Sequence, residues 1–187
     1  MAAISVRGVI RAVAIDSHVD RPVPSEILDS WISRGRARVL ACTSNRITDL
    51  GLSSIRALLG FAINNPTVSN GVDTYPIADV AELQITGMQL GDTSNPAPPA
   101  AGDNALDDPS PYALVTPLTV SYPNETRVVI SGLLGNNEQD GSVFTEEGVF
   151  IVAGALFART TFAPVTKTAG VAIQWDHRFD FVFGGTT

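Results

Sequence analysis

Only a few side chains in this sequence have types and spacing that suit chemistry: two histidines, one cysteine and some clustered carboxylates. Asp16-Ser17-His18-Val19-Asp20 sets two carboxylates beside an imidazole, the ingredients of a metal site or a hydrolytic triad. Neither a second histidine nor a nucleophile elbow accompanies them, so the spacing is generic and predicts no catalysis. His177 falls in an alternating run that points it, with Trp175 and Phe179, toward the core, which predicts a packed histidine rather than a reactive one. Asn136-Asn137-Glu138-Gln139-Asp140-Gly141, followed by Glu147, has the oxygen and glycine spacing of a calcium loop. Its first position is Asn rather than Asp, and its flanks read as strands rather than helices. A polar hairpin loop closed by Asp140-Gly141 is therefore predicted. No phosphate-cradling glycine loop is present. The chain is predicted to be no enzyme, with no catalytic residue, no cofactor and no metal.

The elements that must position these groups are mostly strands. Residues 4 to 15 alternate Ser5, Arg7 and Arg11 with apolar residues and predict an extended N-terminal arm or edge strand, ended by Pro22-Val23-Pro24, so that 1–24 form the arm and 25–187 a single domain. Ser25 stands ahead of Glu26 to Ile32, whose apolar 27, 28, 31 and 32 share one helical face. At two turns that helix has to dock to persist, which makes Trp31 a packing residue. Asn45 to Leu59 is a second helical candidate with Thr48 as its cap, although Gly51 weakens it. Leu83 to Leu90 alternates as a strand, and the Pro-rich stretch 92–112 reads as a long loop, either mobile or laid across a neighbour. Leu114 to Tyr122 and Thr126 to Leu134 form a hairpin through Pro123-Asn124-Glu125. Val143 to Val152 and Leu156 to Phe162 form another through Ala153-Gly154, with Gly148 marking a bulge or a close approach. Val171 to Phe183 carries the strongest alternation, with Val171, Ile173, Trp175, His177, Phe179, Phe181 and Phe183 on one face and Gln174, Asp176, Arg178 and Asp180 among those opposite. The predicted fold class is mainly β, an antiparallel β-sandwich of jelly-roll type with one or two short helices.

Charge narrows the partners. The net charge of −7 argues against general nucleic-acid binding, which depends on Lys and Arg displacing counterions from phosphate. It is unevenly spread: residues 1–60 hold eight arginines against five acidic groups, whereas 61–187 hold four basic groups against fourteen acidic ones. Such a chain suits contacts in which a basic surface meets an acidic neighbour. Arg34-Gly35-Arg36-Ala37-Arg38 is the sharpest basic cluster, and with Arg7 and Arg11 it supplies the predicted interface residues Arg7, Arg11, Arg34, Arg36 and Arg38. Only 17% of residues are charged, a surface poor in charge that favours self-association. Cys42 is the sole cysteine, so an internal disulfide is excluded, and its apolar neighbours predict a small core residue. Asn124-Glu125-Thr126 fits a glycosylation acceptor but reads as a turn. No secretory signal is expected, and no apolar run reaches the roughly 20 residues of a membrane helix.

A series of motifs carries a resemblance. Glu146-Glu147-Gly148-Val149-Phe150, Ala155-Leu156-Phe157-Ala158-Arg159, Phe162-Ala163-Pro164-Val165-Thr166-Lys167-Thr168 and Ile173-Gln174-Trp175 follow one another in the last third. Upstream stand Thr48-Asp49-Leu50-Gly51-Leu52-Ser53-Ser54-Ile55, Met88-Gln89-Leu90-Gly91-Asp92 and Asn104-Ala105-Leu106. In this order the motifs, spanning residues 45 to 183, resemble a family of small virion proteins of tailed bacteriophages: capsid decoration or cement proteins and tail- or fibre-associated proteins. The resemblance implies a structural protein on the outer capsid surface, made in the host cytoplasm. Its implied partners are the major capsid protein and further copies of itself, a homotrimer, with neither nucleic acid nor membrane among them. A tail, neck or baseplate component is the alternative. A carbohydrate-binding jelly roll that recognises the host is a more distant one, for which Trp31 is the only candidate stacking residue outside the final strand.

Overall fold

The computed structural model describes residues 4–15, 19–48, 51, 67–69, 74–76, 83–108, 111–114, 118–124, 126–151 and 155–183. The fold is mainly β: eleven strands and one helix are described, and the strand pairings are antiparallel. By contacts the chain divides into two compact units, not into an arm and one domain. Unit 1 comprises residues 1–44, 114–143 and 162–187, and unit 2 comprises 45–113 and 144–161.

The strands of unit 1 are β1 (Ile4–Ile15), β2 (Ala37–Ile47), β7 (Thr119–Asn124), β8 (Arg127–Leu134) and β11 (Ala172–Phe183), and they lie in the order β2-β1-β11-β8-β7. The N-terminal segment is therefore neither an arm nor an edge strand. All of β1 pairs with β11, from Ile4 opposite Phe183 to Ile15 opposite Ala172, and Ile10, Ala12, Val13, Ala14 and Ile15 are buried. Its few charges concealed that role, because alternation alone does not separate an outer strand from an inner one. The predicted core face of β11 is present. Ile173, Trp175, His177 and Phe179 are buried, with Phe162 against Trp175 at a centroid distance of 5.1 Å. Trp175 lies between Ala12 and Gly132 in register, two small residues that leave room for an indole.

The opposite face of β11 is buried as well at Gln174 and Asp176. The helix α1, Ser25–Ser33, covers it together with the segment that leads into it, and Val13, Ile15, Val23, Leu28 and Ala37 cluster there with Val19, Trp31 and Ile32 packed against them. Trp31 thus packs as its spacing predicted, whereas Ile27 is turned out at 47% exposure. Gln174 explains how a polar residue serves this interface. Its Oε1 accepts a hydrogen bond from Val23 N at 2.6 Å, and its Nε2 donates to Val23 O at 2.8 Å. One side chain thereby pairs with the backbone as a neighbouring strand does. Ser25 does not cap α1: Pro24 occupies the N-cap position and no side chain caps it. The β7–β8 hairpin turns where expected, with Asn124 Oδ1 accepting from Thr126 N at 3.0 Å.

Unit 2 contains β5 (Ile85–Gly91), β6 (Tyr112–Ala113), β9 (Val143–Ile151) from Phe144 on and β10 (Leu156–Thr166) as far as Thr161, in the order β6-β5-β9-β10, and Ala158 and Arg159 of β10 pair with Ile47 and Arg46, the end of β2 that belongs to this unit. A separate pair, β3 (Thr67–Ser69) and β4 (Thr74–Pro76), completes the strands. Residues 45–47, assigned by periodicity to a helix, are the end of β2 instead. Thr48 does act as a cap, since its Oγ1 accepts from Gly51 N at 3.0 Å, and Gly51 is helical. The candidate beyond Gly51 lies outside the described residues. Glycine is required at position 51 because a Cβ would run into the backbone oxygen of Phe157. Gly148 is a close approach of side chains rather than a bulge, with Leu156 Cδ1 at 2.8 Å from such a Cβ, and the register shift of this sheet falls between Ile85 and Gly87.

Candidate interaction site

Arg34, Arg36 and Arg38 are exposed, and among the described residues none of them forms an ion pair. The local chain explains the exposure. Arg34 is the C-cap of α1, Gly35 at φ +70° turns the chain, and Ala37 is buried at the start of β2, so that Arg36 and Arg38 point outward on either side of it. Val39, 40% exposed, and Cys42, also exposed, continue the strand, so Cys42 is not the core residue its apolar neighbours suggested.

Of the other two predicted interface arginines, Arg11 does not join them. Arg7 stands opposite Asp180 in the β1–β11 register, and its side chain is outside the described ones. Arg11 turns inward beneath α1, where it bonds Asp29 and, at 2.8 Å, Asp176. Burial alone would lower its pKa, but the hydrogen bonds to the two carboxylates outweigh it and hold the guanidinium above its ordinary value. Asp176 also accepts from Ser131 Oγ at 2.8 Å and Gln174 Nε2 at 2.7 Å. Arg11 is thus a strut between helix and sheet.

A recess of about 170 Å³ opens beside that strut in unit 1, lined among others by Arg11, Ser25, Cys42, Arg127 and Arg178. Arg127 Nε and Arg178 Nη2 share one carboxylate, Asp180, at 2.6 and 2.8 Å. Burial would raise the Asp180 pKa, yet the two guanidinium groups hold it below the usual carboxylate range.

The remaining charge clusters are fasteners. Arg159 of β10, 1% exposed, bonds Glu146 through Nε at 3.0 Å and Nη2 at 2.8 Å, and reaches Asp103 at 2.9 Å and Asp107 at 2.8 Å. Glu146, fully buried, also accepts from Asp107 N at 3.1 Å and Asp108 N at 2.8 Å. Both strands thus anchor the Pro-rich loop at Asp103, Asp107 and Asp108. Nothing local in the sequence pairs Arg159 with carboxylates some forty to sixty residues earlier. The calcium-like loop has an equally internal explanation. Lys167 Nζ donates to Asn136 O at 3.0 Å, Asp140 Oδ1 at 2.9 Å and Thr168 O at 3.2 Å, so a lysine ammonium engages the Asp140 carboxylate and the backbone on either side of the turn. Glu138 is used within the turn, accepting from Gly135 N at 2.7 Å.

His177 is buried and stacked on Phe179 at 4.7 Å. Residues 16–18 of the other histidine cluster lie outside the described residues. Among the described residues, no group of three or more His, Cys, Asp or Glu side chains is placed to hold a metal ion, and no helix is long and apolar enough to cross a membrane. No protein-family model, characterised protein or solved structure matches this chain.

Proposed function

We propose that this chain is a structural protein of a bacteriophage virion that cements the capsid by binding the major capsid protein, as a homotrimer on the outer surface. The observation that carries the reading is the exposed trio Arg34, Arg36 and Arg38, which has no ion-pair partner among the described residues in a chain otherwise strongly acidic. Arginine keeps a planar fork of donors ready for carboxylates, and leaving three of them unpaired suits a surface completed by an acidic partner. The motif resemblance of residues 45–183 supplies the partner's identity. Binding energy alone does the work in this reading: a standard interface buries roughly 1,600 Å², and its repetition over a shell multiplies the hold on neighbouring subunits. The jelly-roll form of the sandwich belongs to the same proposal and is tested by an experimentally determined strand order.

Quantitative mass spectrometry of purified virions tests the reading. A copy number that is a simple fraction of the major capsid protein's supports it. A handful of copies per particle moves the chain to the tail, neck or baseplate, and absence from the particle overturns the virion reading. Charge reversal of Arg34, Arg36 and Arg38 to Glu is expected to release the protein from capsids at salt concentrations that leave the native chain bound.

A further inference from the structure

The recess beneath α1 has a polarity that the cement role does not use. Its floor is a set of rows on one face of the unit 1 sheet, two residues apart along each strand and so about 6.6–6.8 Å from one to the next. One row holds Asp180 opposite Arg127, the next Arg178 between Val9 and Val129, and the third Asp176 between Arg11 and Ser131. At the Arg127 end two guanidinium groups share the single carboxylate Asp180, which leaves a surplus positive charge. Only Nε of Arg127 is engaged among the described residues, so both of its terminal nitrogens remain available as donors. At the α1 end the sign reverses, because the single guanidinium of Arg11 is shared by Asp29 and Asp176, and Glu26 adds a further carboxylate with no ion-pair partner among the described residues. Glu26 and Asp29 are three residues apart on one helix and so face the same way.

Ser25 supplies an independent mark of a ligand. Its hydroxyl is buried at 7% exposure, has no hydrogen-bond partner among the described residues, and lines the recess. A buried hydroxyl without a partner is destabilising, and a ligand's polar group removes that cost. The volume of about 170 Å³ is slightly more than the roughly 150 Å³ of an engineered cavity that takes up benzene. The space therefore suits a molecule of about six to ten heavy atoms at most, by the same comparison.

The geometry points to a binding site for a small zwitterion, a free α-amino acid with a short apolar side chain. Its carboxylate pairs with Arg127 and Arg178, its ammonium lies against Glu26 and Asp29, and its side chain rests on Val9 and Val129. Ser25 Oγ completes the polar contacts. The charges at the two ends require opposite charges on one ligand, so neither a simple acid nor a simple amine satisfies both.

Cys42 makes the test direct, because it is the only cysteine, is exposed and lines the same recess. Alkylation of the full chain by iodoacetamide is followed by intact mass while L-valine is titrated at constant ionic strength, with isovalerate and isobutylamine as its two half-molecules. L-valine is expected to slow alkylation saturably, and each half-molecule to need about tenfold or more higher concentration, the worth of one charge-assisted pairing. Arg127→Gln is expected to weaken protection by valine about tenfold on the same grounds. Ser25→Ala, which removes a hydroxyl with no protein partner and so leaves the fold intact, is expected to weaken it as well. The proposal is overturned if no concentration of valine protects Cys42, if either half-molecule protects as well as valine, or if both variants bind valine like the native chain.

Discussion

Replacing Arg159 by Met removes the cation that holds Glu146, Asp103 and Asp107 together in unit 2. Glu146 is then left as a fully buried carboxylate with only the Asp107 and Asp108 backbone N–H groups as partners. Breaking a buried pair from one side costs about 3–5 kcal/mol, because the surviving charge stays desolvated and uncompensated. The two remaining N–H donors place the expected cost near the lower end, at about 3 kcal/mol. Against a total stability of about 5–15 kcal/mol that is a large fraction. Urea unfolding followed by far-UV circular dichroism reads it as a midpoint lowered by about 1–3 M, given a slope of about 1–3 kcal/mol per M. Tryptophan fluorescence is a second channel, since Trp31 and Trp175 both lie in unit 1 and report on it alone. The double variant Arg159→Met with Glu146→Gln removes the stranded charge but keeps an acceptor for the loop. It is expected to be more stable than the single variant, within about 1–2 kcal/mol of the native chain. A single variant that loses less than about 1 kcal/mol, or a double variant no better than the single, refutes the reasoning.

Three further outcomes are expected. Asp180 and Asp107 both have pKa values lowered in the fold, Asp180 by Arg127 and Arg178, Asp107 by Ala97 N and Arg159, in each case against burial. A lowered folded pKa gives stability that is present above the unfolded value of about 3.9 and lost as pH falls through the folded one, so the melting temperature should hold at neutral pH and fall below about pH 4. A melting temperature unchanged down to about pH 2 would contradict this. Gly51→Ala drives a Cβ against the backbone oxygen of Phe157 and should cost about 2 kcal/mol or more, or abolish soluble expression; a melting point within a degree of the native one disproves the close approach. Deleting residues 1–24 should prevent folding, since the deletion removes the whole of β1 from between β2 and β11; a truncated chain with native circular dichroism would restore the arm.

Period-two patterning made the strands legible from the sequence: β5, β8 and β11 stand within two residues of where alternation puts them, whereas β7 begins at Thr119, five residues after the predicted Leu114. Their neighbours were not legible. The buried polar residues Gln174 and Asp176 read as a solvent face because amphipathic alternation describes a sheet with one wet side, whereas α1 covers this one. The exposed arginines of 34–38 were readable, since they adjoin one another in the chain. Arg11 was not, because what turns it inward is Asp176, 165 residues away in sequence. The recess was invisible for the same reason, being built from α1 and strands that come together only in the folded unit.

Lys167 has a consequence for how the Asn136–Ser142 turn keeps its shape. A loop closed by a dissolved ion is only as permanent as the supply of that ion, and it opens when a chelator or a dilute medium takes the ion away. Here the counterion is covalently tethered to the chain at effectively fixed local concentration. Its hold travels with the chain, through Asp140 Oδ1 and the backbone oxygens of Asn136 and Thr168. Such a turn carries its own electrolyte.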